Sequence, residues 1–173
     1  REQRRGGQGK AAAAVKEEDL IQNLYVLSSH MQILCFTTKG KVFWLKVYEI
    51  PVASRASKGR PLVNMLNLDD DESVSDILPV SEFSENEYIF MATKKGTTKK
   101  TNLSLFSKKY KSGIKAINLD EDDKLIGTAI TSGEEEILLA SSAGKLIRFN
   151  ESHVRPMGRT ARGVRGIRLK KDE

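Results

Sequence analysis

The sequence has one cysteine, Cys35, two histidines, four prolines and an aromatic content of only 6%. A single cysteine excludes an internal disulfide and fits a reducing compartment. His30, His153 and Cys35 lack the paired spacing of a zinc site, which needs about four ligands, so no metal is expected. Apolar runs such as Ile33-Leu34-Cys35-Phe36 are far too short to span a membrane. The charged, glycine-rich start does not read as a signal peptide. No serine, aspartate or histidine sits in a nucleophile signature, so no catalytic residue is expected. The few aromatics fall mostly in strand phase, as core, which argues against base stacking on single-stranded nucleic acid.

The chain does have basic charge and a repeat. Its 173 residues carry 29 Lys and Arg against 23 Asp and Glu, a net charge of +6. Arginine or lysine beside glycine recurs at Arg4-Arg5-Gly6-Gly7-Gln8-Gly9-Lys10, Arg55-Ala56-Ser57-Lys58-Gly59-Arg60, Lys109-Tyr110-Lys111-Ser112-Gly113-Ile114-Lys115 and Arg159-Thr160-Ala161-Arg162-Gly163-Val164-Arg165. The anchoring glycines Gly9, Gly59, Gly113 and Gly163 are separated by 50, 54 and 50 residues. A period of that size is the mark of an array of like units. The units run roughly over 1–50, 51–106 and 107–154, with 155–173 incomplete. Positive charge repeated at the same place in each unit suits a long polyanion better than a small molecule.

A second set of glycines, Gly40, Gly96 and Gly144, lies between short β-rich runs and predicts three tight hairpins. Beyond each basic glycine, an apolar-polar-apolar pattern predicts a third strand at Leu62–Met65, Ala116–Leu119 and Gly166–Leu169. An acidic turn follows at Asp69–Glu72 and Asp120–Asp123, and a fourth strand at Val74–Leu78 and Leu125–Ile130. Ala11–Leu24 occupies a strand slot despite its alanines, so a strand is expected there too. The predicted fold is all-β: a propeller-like array of four-stranded blades, three to four in this chain. Lys99 and Lys100 surround the second hairpin with Lys94 and Lys95. They read either as lysines that protect an exposed edge strand or as nucleic-acid contacts.

The first basic element, Gln3 to Lys10, is the richest. Its glycines let backbone approach a phosphate, and its arginines can grip phosphate oxygens bidentately. A nucleotide P-loop is excluded, because Arg4 and Ala11 stand where that motif needs Gly and Ser or Thr. The heptad Gln3-Arg4-Arg5-Gly6-Gly7-Gln8-Gly9 resembles the gyrase A box, which marks the C-terminal domain of the bacterial DNA gyrase A protein. Lys46-Val47-Tyr48-Glu49-Ile50-Pro51, Met91-Ala92-Thr93-Lys94-Lys95-Gly96, Glu121–Gly127 and Val154–Arg159 are similar to further phrases of that domain. The box commonly has Lys or Arg where this chain has Gln8.

The resemblance implies a β-pinwheel, a disc whose blades swap strands with their neighbours and around whose basic rim duplex DNA wraps. It also implies that the wrap, with positive handedness, supports negative supercoiling by DNA gyrase in the cytoplasm, at the nucleoid. The partners it implies are double-stranded DNA, the rest of the gyrase A protein and the gyrase B protein, with no membrane. It implies no cofactor in this segment, because the ATP and Mg used by the whole enzyme bind elsewhere. The expected phosphate contacts are the box itself (Gln3, Arg4, Arg5, Gly6, Gly7, Gln8, Gly9 and Lys10) and the rim residues Arg55, Lys58, Arg60, Lys108, Lys109, Lys111, Lys115, Arg159, Arg162 and Arg165. Two alternatives remain at this point: the C-terminal DNA-binding domain of topoisomerase IV, and a propeller that binds protein.

Overall fold

The computed structural model describes residues 21–54 and 57–170. Every regular element among them is a β-strand or a short 3-10 turn. Three hairpins form where the turn glycines predict them: β1 (Gln32–Thr37) with β2 (Lys41–Lys46), β4 (Tyr88–Thr93) with β5 (Thr97–Asn102), and β8 (Glu136–Ala140) with β9 (Leu146–Asn150). The turns are built alike. Gly40, Gly96 and Gly144 take φ of 75°, 84° and 80°, the left-handed region that a tight hairpin needs. Thr37, Thr93 and Ser141 accept, on their hydroxyls, the backbone N–H four residues on, at 3.2 Å each.

The first two hairpins widen into four-stranded sheets. In chain order the further strands are β3 (Val74–Val80), β6 (Ile114–Lys115), β7 (Leu125–Thr131) and β10 (Val164–Arg165), and the sheet orders are β3-β1-β2-β6 and β10-β5-β4-β7. The pairings on β1 and β4 break register at equivalent points, Phe36/Thr37 and Ala92/Thr93. Each sheet is completed from the next repeat: β6 follows the second hairpin yet pairs with the first, and β10 follows the third yet pairs with the second. Neighbouring blades therefore exchange strands, as the resemblance implies.

The two sheets meet along β3 and β7, where Asp76 accepts from the Thr128 N–H at 2.8 Å and from its hydroxyl at 3.1 Å. A shared core fills the space between the sheets: Leu34, Phe36, Val42, Ile89, Met91, Leu103, Phe106, Ile117 and Leu125 are all buried. The Phe36 and Phe106 rings meet edge to face at 6.2 Å. Burying each such side chain stabilises the fold by about 1.5–3 kcal/mol. The other face of the first sheet is covered as well, by Leu62, Met65, Leu66 and Leu68 against Ile33, Cys35, Phe43 and Leu45. A strand covered on both faces loses its polar alternation, which explains the unbroken apolar run 33–36. Because β3 and β7 lie at the junction, β6 and β10 occupy the opposite, outer edge of each sheet.

Two expectations need correction, and a third lies largely outside the described residues. The third strand is not where the period-two pattern puts it. Leu62–Asn64 is a 3-10 turn, and β6 and β10 lie just before 116–119 and 166–169. After two paired residues the chain bends to wrap the turn of the hairpin it pairs with: the Ala116 and Ile117 N–H groups donate to the Gly40 carbonyl, and those of Gly166 and Ile167 to that of Gly96. The apolar Ile117 and Leu119 lie against Gly40, so contact with the turn, not strand pairing, produced the alternation. The strand expected at Ala11–Leu24 lies largely outside the described residues, and 21–24 form no strand. Lastly, Lys99 and Lys100 do not lie on an edge. β5 is an inner strand, and they are 0% and 4% exposed.

Candidate nucleic-acid interface

The outer edges of the two sheets carry matching basic residues. Lys115 on β6 pairs with Lys41, and Arg165 on β10 pairs with Thr97. Both partners directly follow a turn glycine, so Lys115 and Arg165 hold the same position on successive blades. Each is exposed and lies two residues after its basic glycine. Four residues before those glycines stand Lys109 and Arg159, and the same position holds Arg5 and Arg55 in the earlier repeats. This fixed offset is a sequence signal finer than basic richness alone.

The backbone brings these rim segments to the edge by close approach. A Cβ on Gly113 would stand 2.7 Å from the Phe43 ring, so only glycine lets the first rim segment lie flat on its hairpin. Lys108, Lys109 and Lys111 are exposed in the loop that leads into β6, and Lys108 Nζ sits 5.5 Å over the Tyr110 ring. Lys115 Nζ bonds to Asn118 Oδ1 at 3.3 Å. Arg159 is half-buried, and Arg162 is exposed and paired with Asp120 at 2.9 Å. Lys58 and Arg60 are exposed beside Gly59 in an irregular segment that joins no sheet. Gln3 to Lys10 and Arg55 lie outside the described residues. Arg168, exposed on the same segment as Arg165, was missed because it falls outside the basic-glycine motif.

Acidic turns draw charge away from the hairpins but leave most of the rim free. Lys39 bonds to Asp71 and, at 3.3 Å, to Asp69, while Lys41 lies 3.3 Å from Asp69 and 3.8 Å from Glu72. Hydrogen bonds from Lys39 and then Lys41 hold the Asp69 carboxyl below its usual range. Lys95 Nζ donates to the Glu121 carbonyl at 2.7 Å. By contrast Lys58, Arg60, Lys109, Lys111 and Arg165 form no ion pair with any described residue. A cleft of about 370 Å³ opens beside the second rim segment, lined by Lys95, Asp120, Asp123, Arg162 and Arg165 among others.

Burial pushes the Cys35 thiol up to about 12, so it holds its proton and is inert as a nucleophile. The rim offers cations on backbone that hydrogen-bonds to the hairpin turns at Gly40 and Gly96. Such an arrangement neutralises anions spaced along a surface.

The chain matches the family described as DNA gyrase C-terminal domain, beta-propeller, over residues 1–28, 32–81, 87–132 and 135–173. It is 53% identical over 171 residues to the A subunit of DNA gyrase from Salmonella typhimurium, covering 99% of this chain and 20% of that protein. To the same protein of Escherichia coli it is 53% identical over 167 residues, covering 96% and 19%. The chain thus spans about a fifth of the length of these curated relatives. Among solved structures it is similar to the C-terminal domain of DNA topoisomerase IV, with a TM-score of 0.76 and 31% identity over 83% of this chain and 45% of that one. It is also similar to a DNA gyrase A C-terminal domain, with a TM-score of 0.70 and 21% identity over 93% and 54%.

Proposed function

Because this chain belongs to the DNA gyrase C-terminal domain family, we propose that it binds duplex DNA without reading sequence and wraps it along the outer edge of successive blades. The observation that carries this reading is the register match of Lys115 and Arg165, joined by Lys109 and Arg159, on adjacent blades. Duplex DNA presents one negative charge per roughly 1.7 Å of axis. Cations at equal offsets on a curved surface therefore neutralise phosphates at intervals and release counterions. Contacts of this kind position the duplex and carry no base information. Bending then follows from the sum of many contacts, so any sequence preference reflects deformability.

In the longer protein the wrap would present DNA to the rest of the gyrase A protein and to the gyrase B protein, where ATP and Mg act. Gln3 to Lys10 would add the densest phosphate grip, shaped by Gly6, Gly7 and Gly9. A topoisomerase IV role is a second reading, favoured by the 0.76 TM-score and 31% identity. The heptad Gln3 to Gly9 argues for gyrase over it.

The test is binding to duplex DNA across a salt series. Several phosphate contacts predict a steep linear fall of log affinity with log salt; a flat line overturns the reading. Relaxing circular DNA with a topoisomerase in the presence of the chain should trap writhe. The double variant Arg4→Ala/Arg5→Ala should trap less if the box acts as in gyrase, and as much as the parent if it does not.

A further inference from the structure

β5 sends two lysines inward, one to each side. Lys100 meets a carboxylate, Glu151, at 3.6 Å. Lys99 has no carboxylate partner among the described residues. Its Nζ instead donates to two backbone carbonyls, Ala116 at 2.6 Å and Arg159 at 2.5 Å. The two acceptors belong to successive rim segments. Ala116 directly follows Lys115, and Arg159 is the cation four residues before Gly163. The corresponding residue of the first hairpin, three positions after its turn glycine, is Phe43, whose ring lies against Gly113. An ammonium thus replaces an aromatic ring where one rim segment meets the next.

Burying a charge here carries a cost. Burial draws its pKa down to about 8, and the nearby Arg159 charge adds to the lowering. Both effects oppose a charged group at this place. Its two hydrogen bonds do something a ring cannot: they hold carbonyls from two rim segments to one point. The same segments also touch at the surface, through Asn118 N–H to the Ala161 carbonyl at 3.0 Å and through Asp120 to Arg162 at 2.9 Å. Of these ties, Lys99 is the buried one, and it engages both segments at once.

We propose that Lys99 is a positioning residue for the rim: its ammonium sets the spacing between the segment bearing Lys115 and the segment bearing Arg159. This rests on the DNA-wrapping reading, because spacing matters only if both segments engage one polyanion. Two cation clusters grip the same bent duplex only when their separation fits the phosphate track.

The test uses the full chain with cysteines at the exposed positions Ser112 and Thr160, one per segment, carrying nitroxide labels. The buried Cys35 thiol stays unlabelled. Pulsed electron resonance without DNA reads the spacing, and trapped writhe on relaxed circular DNA reads the wrap. Lys99→Met keeps the length and removes the donors. It is expected to stay folded by circular dichroism, to broaden the label distances and to lose most of the writhe. Lys99→Arg keeps charge and donors on a longer side chain, and is expected to give a narrow but displaced distance and part of the writhe. Should Lys99→Met fail to fold, Lys99→Arg decides: a displaced spacing with reduced writhe supports the proposal. Unchanged spacing overturns it, as does lost writhe with intact spacing, since the amine would then act through charge alone. A parent chain that traps no writhe sinks the DNA reading alone, because the spacing is measured without DNA.

Discussion

Lys100 and Glu151 meet in the interior although they belong to different repeats. The Lys100 Nζ stands 3.6 Å from Glu151 Oε2 and donates to the Glu151 carbonyl at 3.0 Å. The same ammonium lies 5.0 Å over the Tyr88 ring. The carboxylate also accepts from Thr131 Oγ1 and from the Gly133 and Glu135 N–H groups, at 2.8 Å each. One residue thereby ties the second sheet to the third hairpin.

Breaking that cluster should be expensive. Glu151→Ala leaves a buried ammonium without its carboxylate and three donors without their acceptor, a loss of roughly 3–5 kcal/mol. The pair should also be coupled. In a cycle of Lys100→Met, Glu151→Gln and the double variant, urea unfolding should give an interaction of about 1 kcal/mol or more. Additive losses would show that the two side chains act independently.

Two buried groups make stability rise with pH, in two separate windows. Burial raises the Glu151 carboxyl, but its donors and the Lys100 charge outweigh that and leave it below the ordinary value of 4.5. Its stabilisation is therefore present above that value and is lost as pH falls through the lower folded one. Lys99 titrates at about 8 in the fold against 10.5 ordinarily. The unfolded chain then binds more protons between those values, so stability rises with pH across that window, by at most about 3 kcal/mol. Unfolding of the parent and of Lys99→Met at pH 7.5 and pH 10 should show the parent gaining on the variant. A constant difference rejects the shift.

The repeat, the hairpins and the all-β class were legible because glycine spacing and apolar alternation are local signals. Strand exchange was not readable from spacing, since β10 pairs with a strand more than sixty residues earlier and nothing near Thr98 announces it. The same distance misled the reading of Lys99 and Lys100: two lysines in a polar strand resemble an edge until the distant Pro156 meets Lys100 and Val164 and Arg165 pair with Thr98 and Thr97. The alternation after Gly113 was real but reported contact with Gly40, since packing against a turn and packing across a sheet both select every second residue. At the candidate site, Arg162 read as free rim charge, because its partner Asp120 sits forty-two residues earlier in the acidic turn.

Equivalent glycines should not be equally replaceable. Gly96 and Gly144 hold the same turn position with φ of 84° and 80°. A Cβ at Gly96 would stand 2.6 Å from the Ile167 carbonyl oxygen, whereas at Gly144 it meets nothing within 4 Å. Gly144→Ala carries the left-handed strain alone, about 1–2 kcal/mol. Gly96→Ala adds overpacking against backbone, for a total of about 3 kcal/mol or more. Equal losses in urea unfolding would mean that the segment at Ile167 can withdraw without cost.

The pair of Asp120 with Arg162 separates stability from binding. Both side chains are more than half exposed, at 59% and 71%, so breaking the pair should change stability by no more than about 1 kcal/mol. Its effect on a polyanion should be larger. Asp120 spends the charge of a rim arginine internally and adds a repelling carboxylate beside the cleft that Arg165 also lines. Asp120→Asn releases Arg162 and removes that repulsion, so duplex affinity should rise. Arg162→Ala should lower affinity less than Arg165→Ala does, because the Arg162 charge is already partly neutralised. The gain in Asp120→Asn should shrink with added salt, since exposed charges are screened over about 10 Å at 0.1 M. Binding isotherms of the three variants at low and high salt check this. A gain that persists undiminished at high salt would point to a reshaped rim in place of released charge.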